Sequence, residues 1–246
     1  MDRLIYTAMT GAKHIVEQQA TVSNNLANAT TTGFRAQIDA FRSVPVQGPG
    51  LPTRTFVVDA TVGTDFRTGA IQQTGRDLDV AVQGDGWLAV ERPDGTEGYT
   101  RNGSLKLNEN GVLQTQSGLS VLGDAGPITI PADVVITIAK DGTISTVPSG
   151  TTPGPSTVLG RLKLVNPPQE SLVRGEDGLF TANGGEAVEA DANVTLISGA
   201  LEGSNVNVVD SMVNMISLAR QFEMHMNMLK NAENNAAKAD QFLSLG

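Results

Sequence analysis

The stretch Asn207–Leu243, NVVDSMVNMISLARQFEMHMNMLKNAENNAAKADQFL, decides the fold. Val208, Met212, Met215, Ala219, Phe222, Met226, Leu229, Glu233, Ala236, Asp240 and Leu243 recur at steps of three and four, the spacing of one helical face. Asn207 is placed to cap that helix, with Asp210 three residues on in a capping-box arrangement. About 36 residues at ~1.5 Å each span roughly 54 Å. No core within this chain covers a helix that long, and such a period points to a coiled coil or bundle. Between Gly203 and Leu218 the only charge is Asp210, and Met224, Met226 and Met228 add adaptable contact surface.

The opposite end mirrors this. Ile5, Ala8, Ala12, Ile15, Gln19, Val22 and Leu26 form a heptad seam, with Asp2 placed as N-cap and Ala29-Thr30-Thr31-Thr32-Gly33 as the stop. No charged residue occurs from Gln18 to Phe34; Ser23, Asn24, Asn25 and Asn28 are the polar positions. Faces rich in Asn, Ser and Thr pack against neighbours without desolvating ions. Two such helices paired only with each other leave most of their surface uncovered, so cover from neighbouring copies is expected. A non-closing contact of that kind builds a helical filament.

Between the ends, the pattern changes to short alternating runs. Leu78–Val82, Trp87–Val90, Leu105–Leu107, Val112–Thr115, Val134–Ile138, Leu159–Val165 and Val194–Ile197 read as strands, separated by Asp94-Gly95, Asp141-Gly142 and Asp177-Gly178 turns. The chain carries 27 Gly and 11 Pro but one Trp, a mixture suited to turns rather than a thick aromatic core. The expected fold is mixed α and β: N- and C-terminal α-helices forming a coiled-coil layer, and a central all-β, antiparallel, partly barrel-like domain. Its expected divisions are an N-terminal helical segment at 1–34, an extended connector at 35–75 with Thr53–Val58 and Asp65–Thr74 as extended pieces, the β domain at 76–203, and a C-terminal helix at 204–246 pairing with the N-terminal one.

Several chemistries are set aside on composition. A net charge of −9 argues against nucleic acid and anionic membranes. No apolar run approaches the ~20 residues that span a bilayer, so direct membrane insertion is not expected. There is no cysteine, and His14 and His225 stand in no ligand-spaced motif, so no metal and no other cofactor is expected. Asp77, Asp79 and Asp85 near Trp87 read as turn residues rather than a glycosidase pair. Gly84-Asp85-Gly86 lacks the following helix of a phosphate loop, and the Asp-Gly turns lack calcium-loop spacing. No catalytic residue is assigned. The first residues show no basic stretch leading into an apolar one, so either the protein stays inside or it leaves by a route that needs no cleaved signal peptide.

Asn24-Asn25-Leu26-Ala27-Asn28 followed by Thr32-Gly33-Phe34-Arg35 resembles the N-terminal signature of the bacterial flagellar rod and hook proteins. Ser204-Asn205-Val206-Asn207, then Met212-Val213-Asn214-Met215-Ile216, Arg220 and Phe222-Glu223, is similar to their C-terminal signature. Leu78–Val82, Gly86–Val90 and Gly98–Ser104 resemble the middle of the rod subunits, so the likeness runs the whole length. Within the family the likeness is greatest to the proximal-rod branch, with the distal-rod branch as the alternative. Outside it, the rival is a secreted β-rich carbohydrate-active or carbohydrate-binding protein with helical ends.

The resemblance implies an axial structural role in the basal-body rod, in the periplasmic space. It implies partners among its own copies, neighbouring rod subunits and the flagellar type III export apparatus. The subunit-interface residues it implies are Asn24, Asn25, Leu26, Asn28, Gly33, Phe34, Ser204, Asn205, Val206, Asn207, Met212, Met215, Ile216 and Phe222. Removing Met1–Phe34 or Val208–Gly246 is then expected to leave a folded β domain and to abolish swimming.

Overall fold

The computed structural model describes residues 2–45, 55–149 and 155–244. The expected extended piece Thr53–Val58 is therefore described only from Thr55. The chain is mixed α and β and divides into two compact units: residues 1–29, 36–65 and 206–246 form one, and residues 30–35 and 66–205 the other.

In the first unit, helix α1 spans Asp2–Ala27 and helix α2 spans Val208–Ser244, 37 residues. Ala8, Ala12 and Ile15 are buried and Ile5, Gln19, Val22 and Leu26 half-buried, which is the seam expected for α1. On α2 the inward stripe is Ser211, Met215, Leu218, Phe222, His225, Leu229 and Ala232. It keeps the three-four rhythm but shares only Met215, Phe222 and Leu229 with the expected seam. Val208 and Met212 are exposed instead. The helices run antiparallel, since Gly11 faces His225 while Gln18 and Asn25 share a slot with Leu218 and Ser211. A Cβ on Gly11 would stand 2.5 Å from Cε1 of His225, so a larger residue here makes the His225 ring give way. Gly11→Ala should lower the unfolding temperature of the helical signal, an overpacking cost of about 1–3 kcal/mol less the ~1 kcal/mol of helix propensity gained. Adding His225→Ala should recover it; circular dichroism melts of the single and double variants check this.

Strands β1 (Gln37–Pro45) and β2 (Thr55–Thr64) complete the unit as an antiparallel hairpin, with a bulge at Ala40/Phe41. Asn25 holds the hairpin to α1 as a strand would. Its side-chain amide donates to the Gln37 carbonyl at 2.8 Å, and its Oδ1 accepts from the Gln37 N–H at 2.8 Å.

The second unit is built of antiparallel ladders. Five strands run in the order Leu164–Val165, Trp87–Glu91, Glu97–Thr100, Phe180–Ala182, Leu172–Arg174; three more, Val134–Ile138, Thr143–Pro148 and Thr157–Arg161, form a separate sheet. Two-stranded pairs complete the unit, among them Val80–Gln83 with Thr195–Ser198 and Ile71–Gln73 with Ala200–Glu202. These ladders do not close into a barrel, which corrects the partly barrel-like expectation: they are short and fall into separate sheets. Trp87–Val90 is buried at every position because period two sends alternate side chains into different cores. Leu88 and Val90 enter the larger aliphatic core with Leu105, Leu113, Ile144 and Leu196. Trp87 and Ala89 enter a smaller one with Tyr99, Val165 and Phe180.

Candidate assembly site

Two regions carry the residues implied by the terminal signatures, one in each unit. The first is the place where residues 30–35 join the β-rich unit. Gly33 has φ +69°, and a Cβ there would lie 2.3 Å from the Arg101 carbonyl carbon, so both conformation and space demand glycine. Its N–H donates to the Glu202 carbonyl at 2.8 Å, and the Asn205 N–H donates to the Phe34 carbonyl at 3.3 Å. The stretch arriving from α1 thus lies against the stretch departing towards α2.

Beneath that pairing sits a buried ionic cluster. Glu202 Oε1 accepts from Arg35 Nη1 at 2.5 Å and from the Gly69 N–H at 2.8 Å, and its Oε2 accepts from Arg101 Nη1 at 3.2 Å. Arg101 also donates to the Gly84 carbonyl at 2.7 Å, and Arg174 donates to the Arg35 carbonyl at 2.9 Å. Arg35 and Glu202 are each 1% exposed. Burial pushes the Arg101 guanidinium below its ordinary pKa; Glu202 pulls it back up, and Arg35 presses it down again. Burial likewise lowers Arg174.

Two cations share one carboxylate here, and Arg35 Nε, Arg35 Nη2 and Arg101 Nε have no acceptor among the described residues. The Trp87 ring takes part of that load. It lies 5.3 Å from the Arg101 guanidinium and 6.0 Å from that of Arg35, within cation–π range. Arg174 sits 4.5 Å over Phe34 and 5.9 Å from Phe180, which itself stacks on Trp87 at 4.7 Å.

The second region is the helical unit. Asn207 caps α2, its Oδ1 accepting from the Val209 and Asp210 N–H groups at 3.0 and 3.3 Å. Met215 and Phe222 face inward, while Met212 and Ile216 are exposed at 49% and 56%. Val209 and Val213, at 68% and 60%, extend the exposed apolar stripe.

Of the fourteen residues named from the signatures, Gly33, Phe34, Ser204 and Asn205 belong to the β-rich unit and the other ten to the helical one. Asn24 is exposed, and its carbonyl accepts from the Asn28 side-chain amide at 2.9 Å. Leu26 and Val206 are half-buried, Asn25 is taken up by Gln37, and Asn205 donates to the Arg67 carbonyl at 2.9 Å. Sequence reasoning placed Arg35 and Arg101 within the family stretches without giving them a role, and missed Glu202 and Arg174. An isolated acid in the run Ala200-Leu201-Glu202-Gly203 was the one signal that could have drawn the eye.

Enzymatic alternatives gain no geometry. Asp79 is buried, its carboxylate accepting from Thr74 Oγ1 at 2.8 Å and pairing with Arg76 at 3.2 Å, while Asp77 and Asp85 are exposed. His14 stands 3.1 Å from Glu17 and edge-on to Phe41, and His225 lies over Gly11.

Comparison with known proteins bears on both regions. Residues 5–35 match the family description "Flagella basal body rod protein", residues 81–146 "Flagellar hook protein FlgE/F/G D1 domain", and residues 197–242 "Flagellar basal body rod FlgEFG protein C-terminal". The chain is 49% identical to the flagellar basal-body rod protein FlgF of Escherichia coli K12 and 47% to that of Salmonella typhimurium LT2, each across 100% of both chains. It is 32% identical to the flagellar basal-body rod protein FlgG of Buchnera aphidicola subsp. Acyrthosiphon pisum, across 89% of this chain and 92% of that one.

Proposed function

The chain belongs to the FlgF-like flagellar basal-body rod proteins and is a structural subunit of that rod, and from this membership we propose that its terminal helices polymerise into the axial shaft. It assembles with other axial subunits of rod and hook in the flagellar basal body, and its task is mechanical rather than catalytic. The observation that carries the helical reading is the outer stripe of α2, where Val209, Val213 and Ile216 are 68%, 60% and 56% exposed. A contiguous exposed apolar stripe of this kind marks an interaction surface. In the assembled rod, α1 and α2 continue into a coiled-coil layer with neighbouring copies, the β-rich unit forms an outer layer in the periplasm, and the subunit reaches its place through the type III export apparatus. Full-length identity of 49% and 47% to two FlgF proteins supports a proximal position rather than a distal one.

Within the β-rich unit, the Glu202 cluster supports a load-bearing role, because it clamps the entering and leaving stretches to each other and to the β framework. Basal bodies isolated from a strain lacking this protein should show a rod stopped part-way, with no hook. Complete rods in such a strain would defeat the proposal.

A further inference from the structure

Helix α2 has two faces of different character. On the inner side, α1, β1 and α2 enclose an open slot of about 390 Å³. Its walls carry uncharged amides, among them Gln18, Asn25, Asn214 and Gln221, and its one ionisable lining residue among those described is Asp39. Thr21 Oγ1 donates to Asp39 Oδ1 at 2.7 Å, which fixes the carboxylate, while among the described residues Oδ2 carries no hydrogen bond. Beside it, Ile38 is 50% exposed, an apolar floor without cover.

The outer side of α2 has the complementary character. At about 100° per residue, positions 209, 213, 216 and 220 fall within ~40° of the direction opposite Leu218, which faces inward. Val209, Val213 and Ile216 make that stripe apolar, and Arg220 is its exposed cation, without a partner among the described residues. A guanidinium pointing away from the slot does not reach Asp39 of its own chain.

Resting on the rod reading above, we propose that the outer stripe of α2 of one copy lies in the α1–β1–α2 slot of a second copy, with Arg220 of the first paired to Asp39 of the second. Val213 and Ile216 then cover Ile38, and apolar burial supplies most of the affinity. The ion pair, solvated at its rim, sets register and direction rather than strength. Because donor stripe and acceptor slot are different surfaces of one chain facing different ways, the contact is heterologous and propagates.

The chain contains no cysteine, so introduced thiols are its only ones. Full-length chain carrying both Asp39→Cys and Arg220→Cys, expressed in flagellated cells lacking the natural copy and treated with a short bismaleimide, should give a ladder of cross-linked multimers in isolated basal bodies. Neither single variant should. Arg220→Glu or Asp39→Lys alone should lower subunit incorporation about tenfold by setting like charges together, and the two combined should restore it. Basal bodies that contain the double-cysteine chain but yield no ladder, or a cross-link to a different protein, overturn the pairing while leaving the rod reading intact. If the unaltered chain is itself absent from basal bodies, the rod reading falls.

Discussion

Glu202→Ala is expected to lower the unfolding free energy of the unit formed by residues 30–35 and 66–205 by about 3–5 kcal/mol, the cost of removing one partner of a buried ion pair. The magnitude follows from what remains. Arg35 is fully buried, and without Glu202 its charge keeps, among the described residues, only the Trp87 face at 6.0 Å. Arg101 retains the carbonyls of Val82 and Gly84, but it too loses its carboxylate. The Gly69 N–H loses its acceptor as well. Against a typical total of about 5–15 kcal/mol, this is a large share. Glu202→Gln separates charge from shape: it keeps an acceptor for Gly69 and still leaves two guanidiniums unbalanced, so most of the loss should persist. Trp87, the only tryptophan, lies 5.3 Å from Arg101, so its fluorescence reports the cluster directly during urea unfolding. A midpoint unchanged in both variants would show that the cluster contributes nothing. Arg35→Leu combined with Glu202→Leu should cost less than Glu202→Ala alone, since the pair is replaced rather than broken.

What the sequence disclosed follows the range of the interactions involved. The α1 seam was legible because helical periodicity is local: Ala8, Ala12 and Ile15 stand where expected, although Tyr6, Met9 and Val16 stay exposed on the same helix. On α2 the helix was legible but not its orientation. Residues 208, 209, 212, 213 and 216 make the outer side as apolar as the inner one, so hydrophobicity does not choose between them. The choice is made by packing against α1, while β1 and α2 line one open slot to which Ser211, Asn214 and Ser217 contribute. The Glu202 cluster was not legible at all, because its partners lie 167 and 101 residues away along the chain. Arg35 belonged to a recognised motif, yet nothing local says that its charge is buried. The β ladders were legible one by one from alternation and Asp-Gly turns, whereas their division into separate sheets depends on pairings with no local signature.

The same cluster determines where the chain can be cut. A fragment of residues 30–205 is expected to fold alone, whereas one beginning at Ala36 is not, which moves the boundary expected from the N-terminal motif. A cut after Phe34 was expected to spare the β domain, but Phe34 is 7% exposed within that unit and carries Arg174 on its ring at 4.5 Å. Losing a buried Phe costs about 3–5 kcal/mol, and losing the Arg35 side of the ion pair a similar amount. The two are neighbours and so not additive, but either approaches the whole stability of a unit this size. Starting at Ala36 also removes the Gly33 N–H and Phe34 carbonyl that pair with residues 202–205, so the departing stretch loses its partner. The measurement is the cooperativity of urea unfolding followed at Trp87 for fragments 30–205 and 36–205. The longer should give a sharp transition, and the shorter a broad one or none. Equal transitions would mean that residues 30–35 are a passenger on the β framework, and that a force entering from α1 meets a loop instead of a clamp.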